Sequence, residues 1–357
     1  MDRPHLQPLV PQYQLFGMGA NRRKLVYQEG QLKDALNGEV LHTWEVEDVQ
    51  FHPGDYRVVL ETRKGPVEIL EDEQAVWLAS GDGDRQALTR GGKVHLPAFT
   101  GHPQAALLRA LHAELLINVM PWGPVPNLWT YPRPWYRDAA VVALCLEETN
   151  NLDQLTPWIE GLFCPYDFNN HGVAEADNIG QFLYLASLAG GREHPVVELA
   201  LKEVEKLRQG DHITGMSDHS PHPVYQTKWL KYGLRKLGLE DPYTIPEVWD
   251  SYSALFWMDF KEFHVPGPRF PKDYPLNCPY LNWAEAHFYG EPPPELIDVA
   301  DFPLTREFSR SRNLGSSEAS YARMSVVSDK LRHDRWSTPH TWHGAEVLLY
   351  LFDFPQY

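Results

Sequence analysis

A helix that is apolar on every side has to be surrounded by protein, and this sequence specifies four of them. Residues 139–146, 179–188, 252–260 and 345–352 are apolar almost all round. Other segments are amphipathic. In 196–208 the residues Val197, Ala200, Leu201, Val204 and Leu207 keep helical spacing, and 321–332 is more weakly patterned. Alternating the two kinds along a chain builds an inner layer and an outer one. With the helix expected over 106–119, roughly eleven or twelve helical segments follow residue 103, near the number an (α/α)6 toroid requires. No repeat of fixed period is present, which points to a closed barrel rather than an open solenoid.

Before about residue 100 the pattern is different. Residues 24–27, 40–46, 56–62, 67–70 and 75–79 are short runs rich in Val, Tyr, Trp and Thr, separated by Gly-containing turn signals. The expected organisation is therefore a mainly α protein in two parts. Residues 1–100 form a small antiparallel β domain, and residues 101–357 form the (α/α)6 six-hairpin barrel, in which the loops entering the inner helices converge on one mouth.

Those loops hold the unusual residues. The run from Trp129 to Ala143 carries two prolines and four aromatics ahead of an apolar helix, and includes Trp135-Tyr136-Arg137-Asp138. An adjacent Arg and Asp can fix two vicinal hydroxyls, one donating and one accepting, while Trp135 or Tyr136 stacks on a ring face. A second loop places Glu175 ahead of Asp177, Asn178 and Gln181, with Asp177 and Gln181 sharing a helix face at i and i+4. Two carboxylates beside amides suit a proton donor and its orienting neighbour.

A third stretch brings His222, Tyr225, Gln226 and Lys228 to a helix start, with Asp250 in a similar setting downstream. His219 and His222 stand three apart, but Pro221 and Pro223 disrupt helical presentation, so a metal site is not expected. The fourth stretch, His340-Thr341-Trp342-His343-Gly344-Ala345-Glu346, opens the last apolar helix. Glu346 is followed by Val347, Leu348 and Leu349. A carboxyl in such a place has its pKa raised by burial, towards that of a working acid or base.

Charge narrows the partners. A formal net charge of −16 opposes a nucleic-acid backbone or an anionic membrane surface and favours a neutral or cationic ligand. Twelve Trp and 17 Tyr supply flat apolar faces with one polar handle each, which suits the alternating faces and hydroxyl rims of sugars. Cys145, Cys164 and Cys278 are an odd number without metal spacing, so neither a disulfide framework nor a zinc knuckle is expected. With no basic leader and no long apolar stretch, a cytoplasmic location is the default expectation. Nucleotide-binding Gly-x-Gly-x-x-Gly and Walker loops and a Gly-x-Ser-x-Gly elbow do not occur, and no cofactor is expected.

The Tyr-x-x-x-Trp-Tyr-Arg-Asp-Ala-Ala run, followed by buried helices and closed by Pro-His-Thr-Trp-His-Gly-Ala-Glu, resembles the six-hairpin glycosidase superfamily over roughly residues 104–355. The resemblance implies an (α/α)6 toroid, often preceded by a β domain. In glucoamylase-like members an aromatic-Arg-Asp-x-Ala motif lines the sugar subsite, and Arg137 and Asp138 match it. The acid loop and base motif of those enzymes are not matched, so the proton donor is assigned by position and chemistry.

The expected function is a glycoside hydrolase acting on a soluble oligosaccharide or glycoside by inverting, two-carboxylate acid/base chemistry, with Glu175 as acid, Glu346 or Asp138 as base, and Asp177 setting the acid's pKa. Trp135, Tyr136, Arg137, Asn178, Gln181, His222, Tyr225, Gln226, Lys228, Asp250, His340, Trp342 and His343 are the expected substrate contacts. Three alternatives stay open. One is a sugar epimerase on the same barrel, moving protons with His222, His287, His340 and His343. The others are an unsaturated-uronyl hydrolase or lyase, and a non-catalytic carbohydrate-binding protein.

Overall fold

The computed structural model describes residues 11–81, 83–168, 172–218, 220–260, 265, 267, 285–292, 309–310, 321–337 and 340–353. The first part of the chain folds into two antiparallel meanders. One contains β1 (Gln14–Phe16), β2 (Leu25–Gln28), β3 (Gln31–Asp34) and β4 (Val40–Thr43), and the other contains β5 (Val46–His52), β6 (Arg57–Thr62), β7 (Val67–Glu71), β8 (Ala75–Ser80) and β9 (Arg85–Arg90). Alternation along β2 decides the layering. Leu25 and Tyr27 join Phe16 and Leu32 against Val58, Leu60, Ile69 and Val76 of the second sheet, whereas Val26 packs with Tyr13 and Met18 into the helical core. The first sheet is thus a middle layer, buried on both faces of β2. The two-residue turn between β2 and β3 has positive φ at both Glu29 (46°) and Gly30 (75°), which the twist of a tight hairpin requires.

The run expected as one strand over 40–46 is broken, because β4 and β5 belong to different sheets and the chain turns between Thr43 and Val46. Strands β1, β3 and β9 carry too few β-branched residues to have stood out.

Helices follow. They are α1 (Ala105–Ile117), α2 (Tyr136–Glu148), α3 (Thr156–Glu160), α4 (Asp177–Leu188), α5 (Val197–Leu207), α6 (Pro223–Lys236), α7 (Asp329–Asp334) and α8 (Thr341–Asp353). Small hairpins lie between them: β10 (Val119–Met120) with β11 (Gly123–Pro124), β12 (Arg208–Gln209) with β13 (His212–Ile213), and β14 (Met216–Ser217) with β15 (Ser220–Pro221). Helix α8 packs between α1 and α2, α2 packs on α4, and α4 packs on α6, while the amphipathic α5 covers α4 from outside. Helices α2, α4 and α8 are the ones expected to be apolar nearly all round.

Among the described residues these helices form an arc, not a closed barrel, and they are fewer than the eleven or twelve expected. Two segments account for part of the difference. Residues 252–260 hold only a 3₁₀ turn, Ser253–Leu255, after which Phe256 adopts an extended backbone (φ −140°, ψ 91°) and stacks on Trp229 with ring centroids 3.8 Å apart. Large aromatics gained more from that stack than from helical propagation. Residues 321–332 are split into a 3₁₀ turn, Ala322–Val326, and α7, because the Ser328 side chain accepts from Leu331 N and starts a new helix. Among the described residues no helix is long and apolar enough to cross a membrane.

Candidate functional site

The first turns of α2, α4, α6 and α8 meet, and Arg137 stands at the centre of the meeting point. Its Nε donates to Asp177 Oδ2 at 2.9 Å, one terminal nitrogen to Glu175 Oε2 at 3.1 Å, and the other to Asp218 Oδ2 at 2.8 Å. Burial opposes the guanidinium charge, but Asp177 and Asp218 outweigh it and hold the pKa above its ordinary value. The sequence suggested a pairing of Arg137 with Asp138. Neighbours on a helix point about 100° apart, however, so Arg137 reaches α4 and the β14–β15 hairpin while Asp138 faces the start of α8.

The carboxylates around Arg137 are held as acceptors. Glu175 Oε1 takes the backbone N–H of Asp218 at 2.9 Å. Asp177 Oδ2 takes Gln181 Nε2 at 2.9 Å as well as Arg137, and its Oδ1 takes the Ser217 hydroxyl. Gln181 Nε2 also lies 3.3 Å from the Tyr225 hydroxyl, which ties α4 to α6. Tyr252 donates its hydroxyl to Asp218 Oδ2 at 2.6 Å, and its ring lies 5.8 Å from the Arg137 guanidinium. The Trp342 ring approaches that guanidinium from α8 at 5.9 Å.

Glu346 has the opposite character. It is 2% exposed, and burial raises its pKa to about 8 despite the two indole N–H groups that favour its charged form. Those donors are Trp342 Nε1 to Oε1 at 3.3 Å and Trp257 Nε1 to Oε2 at 3.2 Å. At neutral pH this carboxyl carries a proton, and Trp342 links it to the Arg137 cluster. Asp167 is a second carboxyl with a raised pKa, pushed up to about 7 chiefly by burial and also by Asp177 and Glu175. Its Oδ2 caps α2 through Tyr136 N at 2.5 Å, and its Oδ1 is buried with no hydrogen-bond partner.

Several expected contacts do other work. Tyr136 is buried and donates its hydroxyl to the Cys164 carbonyl at 2.7 Å, so it packs rather than binds. Gln226 is fully buried, bonded to the Gly215 carbonyl at 2.8 Å and to Ser217 Oγ at 2.9 Å, and it fixes the β14–β15 hairpin to α6. Lys228 is also fully buried and donates to the Ser253 carbonyl at 2.9 Å. Asn178 accepts from Asp167 N at 3.3 Å and steadies that loop. Asp250 receives His222 Nδ1 at 2.8 Å and the backbone N–H of Tyr225 at 3.0 Å, which makes it the N-terminal cap of α6. His222 stacks on Tyr252 with centroids 3.7 Å apart.

His340 Nδ1 lies 2.8 Å from Asp138 Oδ1, close enough for an ion pair but not aligned as a hydrogen bond. The His343 ring lies between those of His340 (5.4 Å) and Trp342 (5.5 Å). Trp135 lies under the Arg133 guanidinium at 4.8 Å. His287 packs edge-on to Trp257 and Tyr350. His219 lies outside the described residues.

Asp218, Tyr252 and Asp167 were not among the expected site residues. Asp218 and Tyr252 sit in polar stretches and were within reach of sequence reasoning. Asp167 was not, since it caps a helix 31 residues earlier in the chain and belongs to no periodic pattern. In comparisons with known proteins, no family model, curated protein or solved structure matches the chain.

Proposed function

We propose that this protein is a carbohydrate-active hydrolase that cleaves a glycosidic bond between a proton-bearing Glu346 and the carboxylates gathered around Arg137. The observation that carries the reading is the position of Trp342. Its indole N–H touches the buried carboxyl, and its ring faces the guanidinium that gathers Glu175, Asp177 and Asp218. Glycoside hydrolysis needs one carboxyl that gives a proton to the leaving oxygen and one carboxylate that activates water or attacks the sugar carbon. A carboxyl whose pKa is raised by burial, set across Trp342 from carboxylates that accept hydrogen bonds, supplies that division of labour.

The roles are reversed from those the sequence suggested. Glu346 is the acid, and Glu175, whose oxygens both accept hydrogen bonds, is the carboxylate of the pair. Trp342 offers a ring for a sugar beside the buried carboxyl, and the net charge of −16 favours a neutral or cationic one. The meeting of four helix starts at this cluster supports reading the chain as an (α/α)6 six-hairpin glycosidase.

Single replacements Glu346→Gln and Glu175→Gln should each lower sugar release from a productive oligosaccharide by about 100-fold or more, with binding of the same sugar retained. A reducing-end assay over a panel of oligosaccharides reads this. Activity within about threefold of the wild type in both variants would sink the assignment.

A further inference from the structure

We infer that Ser220, His222 and Asp250 form a second, nucleophilic centre that cleaves esters, separate in its chemistry from the carboxylate pair. The inference starts from one hydrogen-bonded line. Ser220 Oγ lies 3.1 Å from His222 Nε2, and His222 Nδ1 lies 2.8 Å from Asp250 Oδ1. A hydroxyl, an imidazole and a carboxylate joined through opposite ring nitrogens at such distances make up the arrangement that activates a serine, and it is recognised by geometry rather than by position in the chain.

The line is held in place from several sides. Asp250 accepts backbone N–H groups from Tyr225 at 3.0 Å and Tyr252 at 2.8 Å, which fixes it as an acceptor and leaves the shared hydrogen on His222 Nδ1. Nε2 is then the ring nitrogen with a lone pair, directed at the Ser220 hydroxyl. The Tyr252 ring, parallel to the imidazole within 6°, sets its plane. His222 and Asp250 are 3% and 4% exposed, whereas Ser220 is exposed. The β14–β15 hairpin accounts for this difference. Ser217 pairs with Ser220 across it, and Asp218 takes a left-handed backbone (φ 52°) at the turn, so the nucleophile stands at the surface over a buried base.

In the reaction, Ser220 Oγ attacks the carbonyl carbon of an ester and its proton passes to His222 Nε2. The tetrahedral intermediate collapses as that proton moves to the departing alkoxide, leaving an acyl-Ser220 ester. Water then attacks the acyl carbon, giving a proton to His222, and the second collapse returns this proton to Ser220 and releases the carboxylic acid. With Asp218 in the same hairpin and a net charge of −16, the fitting substrates are uncharged or cationic esters.

The test uses the full chain with an alkyl fluorophosphonate, which modifies activated serines, and with p-nitrophenyl acetate. One adduct is expected, mapped to Ser220 by peptide mass spectrometry, together with an initial burst of p-nitrophenol. Ser220→Ala, a change at an exposed position, should keep the far-UV circular dichroism and lose both the adduct and the burst. Asp250→Asn should slow labelling by about 1,000-fold or more, because it favours the wrong tautomer of His222. Absence of an adduct at Ser220 in the wild type overturns the inference. So does a burst in Ser220→Ala equal to that of the wild type. Should Asp250→Asn fail to fold, the wild-type and Ser220→Ala pair decides. Sugar hydrolysis is not measured in any of these steps, so failure here is distinct from failure of the glycosidase reading.

Discussion

At the scale of single residues, Glu346 sets the clearest pH dependence. Its folded pKa is raised from 4.5 to about 8, mainly by burial, so the folded protein binds a proton that the unfolded chain releases. The stabilisation is fully present below about pH 4.5 and is lost as pH rises through about 8, at up to about 1.4 kcal/mol per pH unit in between. Glu346→Gln removes this term. Urea unfolding at about pH 5 and about pH 8 should therefore show the variant gaining stability relative to the wild type at the higher pH. Asp167, raised to about 7, slopes in the same direction in both proteins and cancels from the comparison. A difference between the two proteins that stays constant with pH would place Glu346 in a more polar setting than its two indole partners provide.

At the scale of elements, the site depends on how closely α4 approaches α6. A Cβ on Gly180 would lie 2.4 Å from Leu230 N and from the Trp229 carbonyl carbon, and a Cβ on Gly233 would lie 2.7 Å from Gly180 O. Each helix thus presents a glycine to the backbone of the other, and neither backbone can yield as a flexible side chain would. Gly180→Ala should cost at least about 1–3 kcal/mol in denaturant unfolding, the usual range for overpacking a well-filled core. The same change would push Tyr225 away from Gln181, whose contact is already long at 3.3 Å. Glycines at these positions were visible in the sequence, but a glycine inside a helical pattern does not announce which neighbour it admits. Stability within about 0.5 kcal/mol of the wild type would show that the two helices can separate freely.

At the scale of the whole molecule, the β layers and the helices are interlocked. Lys24, just ahead of β2, donates to the carbonyls of Gly17, Gly19 and Val119, Gln28 reaches the Val327 carbonyl at 2.8 Å, and Trp129 donates to the Ala35 carbonyl at 2.6 Å. Tyr13, Met18 and Val26 share a core with α1, α2 and α4. Unfolding followed by far-UV and near-UV circular dichroism should therefore give one coincident transition. Lys24→Met should lower its midpoint without splitting it, at a cost of about 1–3 kcal/mol per carbonyl left without a donor. Two separated transitions would mean that the two parts fold independently.

Local patterning alone determined where strands give way to helices, and it located the apolar helices α2, α4 and α8, because periods of 2 and 3.6 are written in neighbouring residues. It also marked the polar stretches at the helix starts, since a helix N-terminus draws acidic and capping residues whatever it faces. Which of those groups meet was decided by the tertiary structure. Arg137 turned from its neighbour Asp138 to carboxylates 38, 40 and 81 residues away, and burial in the packed core raised the pKa of Glu346 against the opposing pull of two indole N–H donors. Gln226 and Lys228 look like ligand contacts in the sequence, yet they were drawn inward by backbone carbonyls that only packing brought within reach. Burial and long-range pairing depend on what surrounds a residue in space, and a linear pattern reports only its neighbours along the chain.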